Sequence, residues 1–322
     1  MLSGSGELRS SFLTLISLIL LAIVFYLTDF SALPDYVSNH KMTLVILLTI
    51  SLSTFLLRLL RNYLLFRWKG YTDCSLLSYL PRGILAGVVS IYGPLKSGEL
   101  VSMEIYKEDF GVQRGQSLSI IVVGRILDIV VVLSYVSTSL LLLPRSQITQ
   151  FYSYLVVLII FLAVIIVALI SQRFGTAVIN FIRPLFIWKF KAVYRFLEDI
   201  SEEYYKSLSE LKGRYVFAVL SLTTLGRWSL EVLAFSLLLN SFGIHLSILK
   251  IMSVLGFSYS IGVSSGTPGA LGSSQLTSLS ILTLFGVNTG TAALALVVSL
   301  AIGTSSSLIL LGISLLWSNL SK

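Results

Sequence analysis

The chain has 322 residues, of which 55% are hydrophobic and only 12% charged, with a net charge of +8. Soluble domains run at roughly 45–50% apolar and about 25% charged, so this composition excludes a soluble globular protein and defines a polytopic membrane protein. Cys74 is the single cysteine, which excludes an internal disulfide and any multi-Cys metal site; His40 and His245 stand alone in loops.

In chain order, residues 12 to 28 form an apolar run of 17 positions, longer than the ~7–15 residues of a signal-peptide core and without a small-x-small cleavage site after it. It reads as a retained first span. Further apolar segments lie at 42 to 65, 116 to 143, 150 to 171, 216 to 241 and 290 to 317, each near or above the ~17–25 residues that a spanning helix needs. Six spans are expected. Two shorter segments, Leu76 to Tyr92 and Ile248 to Gly262, are interrupted or ended by Pro81, Pro94, Gly262 and Pro268 and read as re-entrant or broken helices.

Lys and Arg accumulate on the cytoplasmic side of a membrane. With both short segments re-entrant, 15 of the 23 basic residues fall inside and only Lys41, Arg145 and Lys250 outside. This places both termini in the cytoplasm and the chain in the plasma membrane. The expectation is an all-α, polytopic membrane helical bundle of six spans plus two re-entrant helices, one membrane domain over residues 1–322. Residues 42–143 form a first repeat, 144–214 a fourth span with an amphipathic linker helix, and 215–317 an inverted second repeat. Inverted repeats with discontinuous helices place substrate near the midplane, and non-helical backbone at that depth requires a polar cavity.

The linker is marked by Val193, Phe196, Leu197, Ile200, Tyr204, Leu208 and Leu211 at three- and four-residue spacing. It reads as a helix packed on the bundle, or as one meeting anionic headgroups through Lys189, Lys191 and Arg195.

Two breaks carry the polar chemistry. The first, Gly93 to Glu99, holds Pro94, Lys96, Gly98 and Glu99; Glu99 either opens a short helix, where a carboxylate suits the dipole, or braces a buried arginine such as Arg125 or takes part in proton coupling. The second, Gly266 to Gln275, holds Gly266, Pro268, Gly269, Gly272 and Gln275, with backbone N–H groups and a helix N-terminus that favour anions. Arg125 lies about 15 Å into its span at ~1.5 Å per residue, with Asp128 at i+3 on the same face. The two form either a structural clip or a phosphate-binding arginine oriented by its carboxylate. Arg227 and Glu231 make a similar i, i+4 pair, whereas Arg58 and Arg61 read as the positive flank of the inner end. The candidate substrate-binding residues are therefore Lys96, Glu99, Arg125, Asp128, Arg227 and Glu231. No GxSxG, HExxH or Walker loop is present, so an enzyme is not the leading reading, and neither metal nor cofactor is expected.

Pro94 to Glu99 (P-x-x-x-G-E), Gly124 to Asp128 (G-R-x-x-D) and Pro268 to Gly272 (PGxLG) occur in an order that resembles the membrane domain of the lysylphosphatidylglycerol synthases, a flippase-like family. The resemblance covers about residues 40 to 317. It implies a lipid-handling domain of the kind that, in two-part synthases, moves aminoacylated phosphatidylglycerol between leaflets. The matching positions are Pro94, Gly98, Glu99, Arg125, Asp128, Pro268, Gly269 and Gly272. Two departures stand out: Gln275 replaces the family's usual glutamate, and residues 295 to 303 lack the usual arginine. The synthases' soluble aminoacyl-transferring domain is absent from this sequence.

The expected function is translocation of a phospholipid or polyprenyl-phosphate-linked lipid. The alternatives are a transporter of a small anionic solute, a membrane-embedded lipid-carrier transferase, and a non-transporting partner subunit. The expected partners are lipids with an anionic or phosphate headgroup, with a homo-oligomer or partner enzyme possible; no basic run with interleaved aromatics offers a nucleic-acid groove.

Overall fold

The computed structural model describes residues 3–68, 75–92, 97–142, 214–265 and 267–320, together with 160, 167, 171–174, 176–177, 201 and 203–208. Among them all regular structure is helical. The principal helices are α1 (Ser3–Tyr26), α2 (Leu33–Asn39), α3 (Lys41–Trp68), α4 (Leu76–Tyr92), α5 (Ser97–Phe110), α6 (Arg114–Leu142), α7 (Arg214–Ser241), α8 (Ile248–Ser264), α9 (Ser273–Leu284) and α10 (Thr289–Leu320).

Four of them, α3, α6, α7 and α10, are long and apolar enough to span a bilayer. Leu15–Tyr26 and Phe30–Asn39, bent by 71° at their junction, make a fifth span if counted as one. These correspond to five of the six expected segments; the remaining one, 150 to 171, falls outside the described residues except for 160, 167 and 171, as does most of the linker. A correction concerns Pro81 and Gly262, which were expected to interrupt or end their segments. Pro81 lies inside α4, which continues through it to Tyr92, and Gly262 lies inside α8. One missing N–H donor is tolerated because the rest of the ladder is intact and the helix is packed on both sides.

The two repeats are inverted, and interhelical contacts display the relation. At one end of the antiparallel pair α3 and α7, Tyr36 and Ser241 hydroxyls meet at 2.8 Å; further along, Arg61 Nη1 donates to Thr224 Oγ1 at 3.1 Å. Helix α4 runs antiparallel to α10, with Ser314 Oγ donating to the Pro81 carbonyl at 2.7 Å and Tyr92 Oη to Ser307 Oγ at 3.3 Å. Its counterpart is the packing of α8 on α6, where Gly256 lets the backbone approach Tyr135 and Val136.

In lipid, apolar burial gains little over lipid contact, so helix association rests on close packing, small residues and interhelical hydrogen bonds. Ser51 to Ser306 at 2.8 Å and Ser258 to Ser278 at 2.6 Å are such bonds. Beside α4 and α5, rings of Tyr63, Phe66, Tyr79, Tyr106 and Phe110 form one cluster, with the Tyr79 and Tyr106 hydroxyls 3.0 Å apart. The described part of the linker packs on the start of α6: Tyr204, Tyr205 and Ser207 are buried, Ser207 meets Ser119 at 2.7 Å, and Glu203 accepts the Gly115 N–H at 2.9 Å.

Where α5 turns into α6, Arg114 donates to both Glu104 oxygens at 2.6 and 3.0 Å. These bonds hold the Glu104 carboxyl below its usual range. Stability from this pair is therefore present above the ordinary carboxylate pKa and is lost as pH falls through the lowered value. Glu104→Gln should flatten that acid limb in a melting series across pH, and at neutral pH should cost no more than ~1 kcal/mol, as for exposed pairs generally.

Candidate functional site

Two helix breaks and an arginine network converge between the repeats. At the first break, Gly98 packs directly against the α4 backbone at Val89 and Ser90, where any side chain would collide. Ser102 staples the two helices by donating to the Gly98 and Ala86 carbonyls at 2.7 and 2.8 Å. Glu99, in the first turn of α5, is thereby aimed at α6. Its Oε1 accepts from Arg125 Nε at 2.8 Å and forms an ion pair with Nη2 at 2.7 Å. Pro94 and Lys96 lie outside the described residues.

The expected pairing of Arg125 with Asp128 is replaced by a different one. Arg125 turns to Glu99, Ser90 and Tyr259, while Asp128 turns to α3 and α7. Asp128 is 1% exposed, and its Oδ1 accepts from Arg61 Nη1 at 2.9 Å, Arg227 Nη2 at 3.0 Å and Trp228 Nε1 at 3.3 Å. Oδ2 accepts from Arg61 Nη2 at 3.3 Å. Two guanidiniums from neighbouring helices supply more charge to this carboxylate than one side chain on its own helix.

Arg227 and Glu231 likewise do not pair. Arg227 serves Asp128 and lies 4.6 Å over the Trp228 ring. No hydrogen bond or ion pair from a described residue reaches Glu231, which lines the cavity described below.

Arg61, taken from the sequence as part of the inner flank, is instead 3% exposed in the middle of this network. The available signal was the Thr54, Arg58, Arg61 spacing, which puts all three on one face of α3. The G-R-x-x-D motif now has a physical reading. A Cβ at Gly124 would lie 2.9 Å from Arg61 Nη2, so the glycine admits the guanidinium that Asp128 then receives.

At the second break, Pro268–Ala270 forms a 3-10 turn, and Gly269 and Gly272 adopt φ of 61° and 78°, the left-handed region that glycine occupies without strain. Gly272 is wedged against Ser17, Leu20 and Leu21 of α1, and Ser17 Oγ donates to the Leu271 carbonyl at 2.8 Å. Helix α1 thus covers this break. The helix N-terminus expected to receive an anion caps itself: Gln275 Oε1 accepts the Gly272 N–H at 2.7 Å. Ser265, Thr267 and Ser273 hydroxyls bond one another at 2.9 to 3.0 Å. Gly266 lies outside the described residues.

The breaks are neighbours, since a Cβ at Gly269 would sit 3.3 Å from the Ile91 carbonyl oxygen. Beside them opens a cavity of about 500 Å³, lined by Arg58, Ser90 and Arg125 from the first half and by Arg227, Glu231, Tyr259 and Gln275 from the second. That volume suits a small ligand or a lipid headgroup. Among the described residues no three His, Cys, Asp or Glu side chains group as metal ligands.

An all-helical, multi-pass bundle with inverted repeats, broken helices and a charged cavity at their meeting point defines a membrane protein with a polar site between its two halves. The chain belongs to the family described as the lysylphosphatidylglycerol synthase TM region, which matches residues 12–310. No curated protein and no solved structure matches it.

Proposed function

We propose that this protein carries a phosphate-bearing lipid, a phospholipid or a polyprenyl-phosphate-linked lipid, between the leaflets of the plasma membrane. Its headgroup passes through the cavity between the breaks while its tails stay in lipid. The observation that supports this most is the cavity itself. Charged groups between apolar spans are expensive unless they serve a polar path, yet Arg58, Arg125, Arg227 and Glu231 all line this one. Family membership supports a lipid as the class of ligand. In this reading both termini are cytoplasmic, the chain acts as a transporter rather than an enzyme, and Arg125 contacts the headgroup phosphate with Glu99 orienting it.

The test is transbilayer movement of a headgroup-labelled phospholipid in liposomes containing the purified full chain, with the native lipid extract as bulk lipid. Wild-type vesicles should exchange the label several-fold faster than empty ones, and Arg125→Gln should fall back towards the empty rate. Equal rates in all three would overturn the reading. A new chemical species formed from the lipid would replace it with a transferase.

A further inference from the structure

The arginines around the cavity are not equivalent. Arg61 and Arg227 share Asp128, and Arg125 holds Glu99. Arg58 has no carboxylate partner among the described residues; its Nη2 donates to the Ser90 hydroxyl at 3.1 Å. The guanidiniums of Arg125, Arg227 and Arg61 act on it as like charges, offset in part by the Asp128 carboxylate.

Arg125 Nη2 donates to the same Ser90 oxygen at 3.2 Å. By the sum of the two distances, the nitrogens of two cations lie at most 6.3 Å from each other, where like charges repel unless an anion intervenes. A neutral hydroxyl now fills the position between them. Arg58, Ser90 and Arg125, which line the cavity, also line a small chamber of about 20 Å³ together with Arg61 and Asn62. It has room for a water-sized group such as one phosphate oxygen.

Charge counting narrows the ligand. Among the described residues, four guanidiniums, from Arg58, Arg61, Arg125 and Arg227, outnumber the three carboxyl groups of Asp128, Glu99 and Glu231. At least one positive charge is left over, and a phosphodiester carries one negative charge. A guanidinium also offers two parallel donors, matching two oxygens of such a group.

We propose that Arg58 and Arg125, meeting at Ser90, are the two jaws of a phosphodiester site, with a phosphate oxygen replacing the Ser90 hydroxyl between them and Arg58 supplying the unbalanced charge. Arg125 holds Glu99 as its resident counter-ion, so it contributes geometry, and Arg58 contributes affinity. The site rests on the lipid-carrier reading only for the ligand's tails. The same chemistry would hold a free phosphate, and the probes below separate the two sources.

The experiment is a thermal-shift titration of the full chain in a phosphate-free non-ionic detergent. The probes are phosphatidylglycerol, diacylglycerol at the same concentration, and inorganic phosphate. Phosphatidylglycerol should raise the melting temperature of wild type, and diacylglycerol should not. Arg58→Gln should weaken the phosphatidylglycerol response at least tenfold in apparent affinity. Its ligand-free melting temperature should hold or rise, because a repelled charge has been removed. Arg58→Lys should recover part of the affinity, as a point charge without the fork. Arg67→Gln, an exposed residue on the same helix, controls for general attraction to basic surface and should respond as wild type does.

A response to inorganic phosphate alone, lost in Arg58→Gln, would uphold the anion site and sink the lipid-carrier reading. Arg58→Gln responding like wild type would overturn the site. So would a wild type unmoved by either phosphate probe.

Discussion

Asp128→Asn is expected to destabilise the folded protein by about 3–5 kcal/mol, the usual consequence of removing one member of a buried charge network. In detergent this corresponds to a fall in melting temperature on the order of 10 °C, or to a failure to accumulate folded protein. The carboxylate at this position is shared by Arg61 at 2.9 Å and Arg227 at 3.0 Å, on two different helices. Without it, two guanidiniums remain between apolar spans, and the asparagine amide turns N–H groups where acceptors are needed. Neither Arg61 Nε nor Arg227 Nε has a hydrogen-bond partner, so no spare acceptor stands ready.

The double variant Asp128→Leu with Arg61→Leu should recover most of the loss. An apolar replacement of a buried pair is often neutral or better, and Arg227 is then free to turn to Glu231 one turn along α7. A single Asp128→Asn protein that melts with the parent would show that the network does not hold α3, α6 and α7 together.

Gly98→Ala is the second large effect. The added Cβ overlaps the Val89 carbonyl oxygen and lies 2.6 Å from Val89 C and 2.7 Å from Ser90 Cα. All three are backbone atoms of α4, so no side chain can rotate away. Either α5 moves out or α4 bends. Overpacking of this kind costs about 1–3 kcal/mol and occasionally more, and backbone against backbone belongs at the upper end. The movement also withdraws Glu99 from Arg125 and tilts Ser90, so lipid exchange in liposomes should fall at least tenfold even where the protein still folds. Gly312→Ala, with nothing within 4 Å of the new Cβ, is the matching control and should leave both stability and exchange intact. Exchange at the wild-type rate in Gly98→Ala would separate the first break from the transport path.

The sequence made several of these elements legible because they depend on local quantities. Apolar length located α3, α6, α7 and α10, since a bilayer sets the length a helix must have. Loop charge and the two short segments suggested an inverted repeat, and the antiparallel α3–α7, α4–α10 and α6–α8 packings display one. Glycine and proline marked both breaks, although Pro81 broke nothing. Partners across helices were less legible. Spacing on one helix suggested Arg125 with Asp128 and Arg227 with Glu231, while the acid at the first break offered Glu99 as an alternative brace for Arg125. The structure takes Glu99 for Arg125 and Asp128 for Arg227, because the packing of α5, α6 and α7 brings these groups together.

The break at Gly93 to Glu99 and the arginines of α3 illustrate the division. By itself the sequence determined that this chain lives in a membrane, that its helices are interrupted at two glycine- and proline-rich points, and that only the first of these keeps an acid. Hydrophobicity, chain length and backbone freedom are properties of a residue and its near neighbours. Only the tertiary structure decided that the second break is covered by α1, that Arg61 is a buried strut, and that Arg58 has no carboxylate partner among the described residues. Those outcomes depend on which helix faces which, and an arginine's charge balance is settled only when every neighbour has been placed.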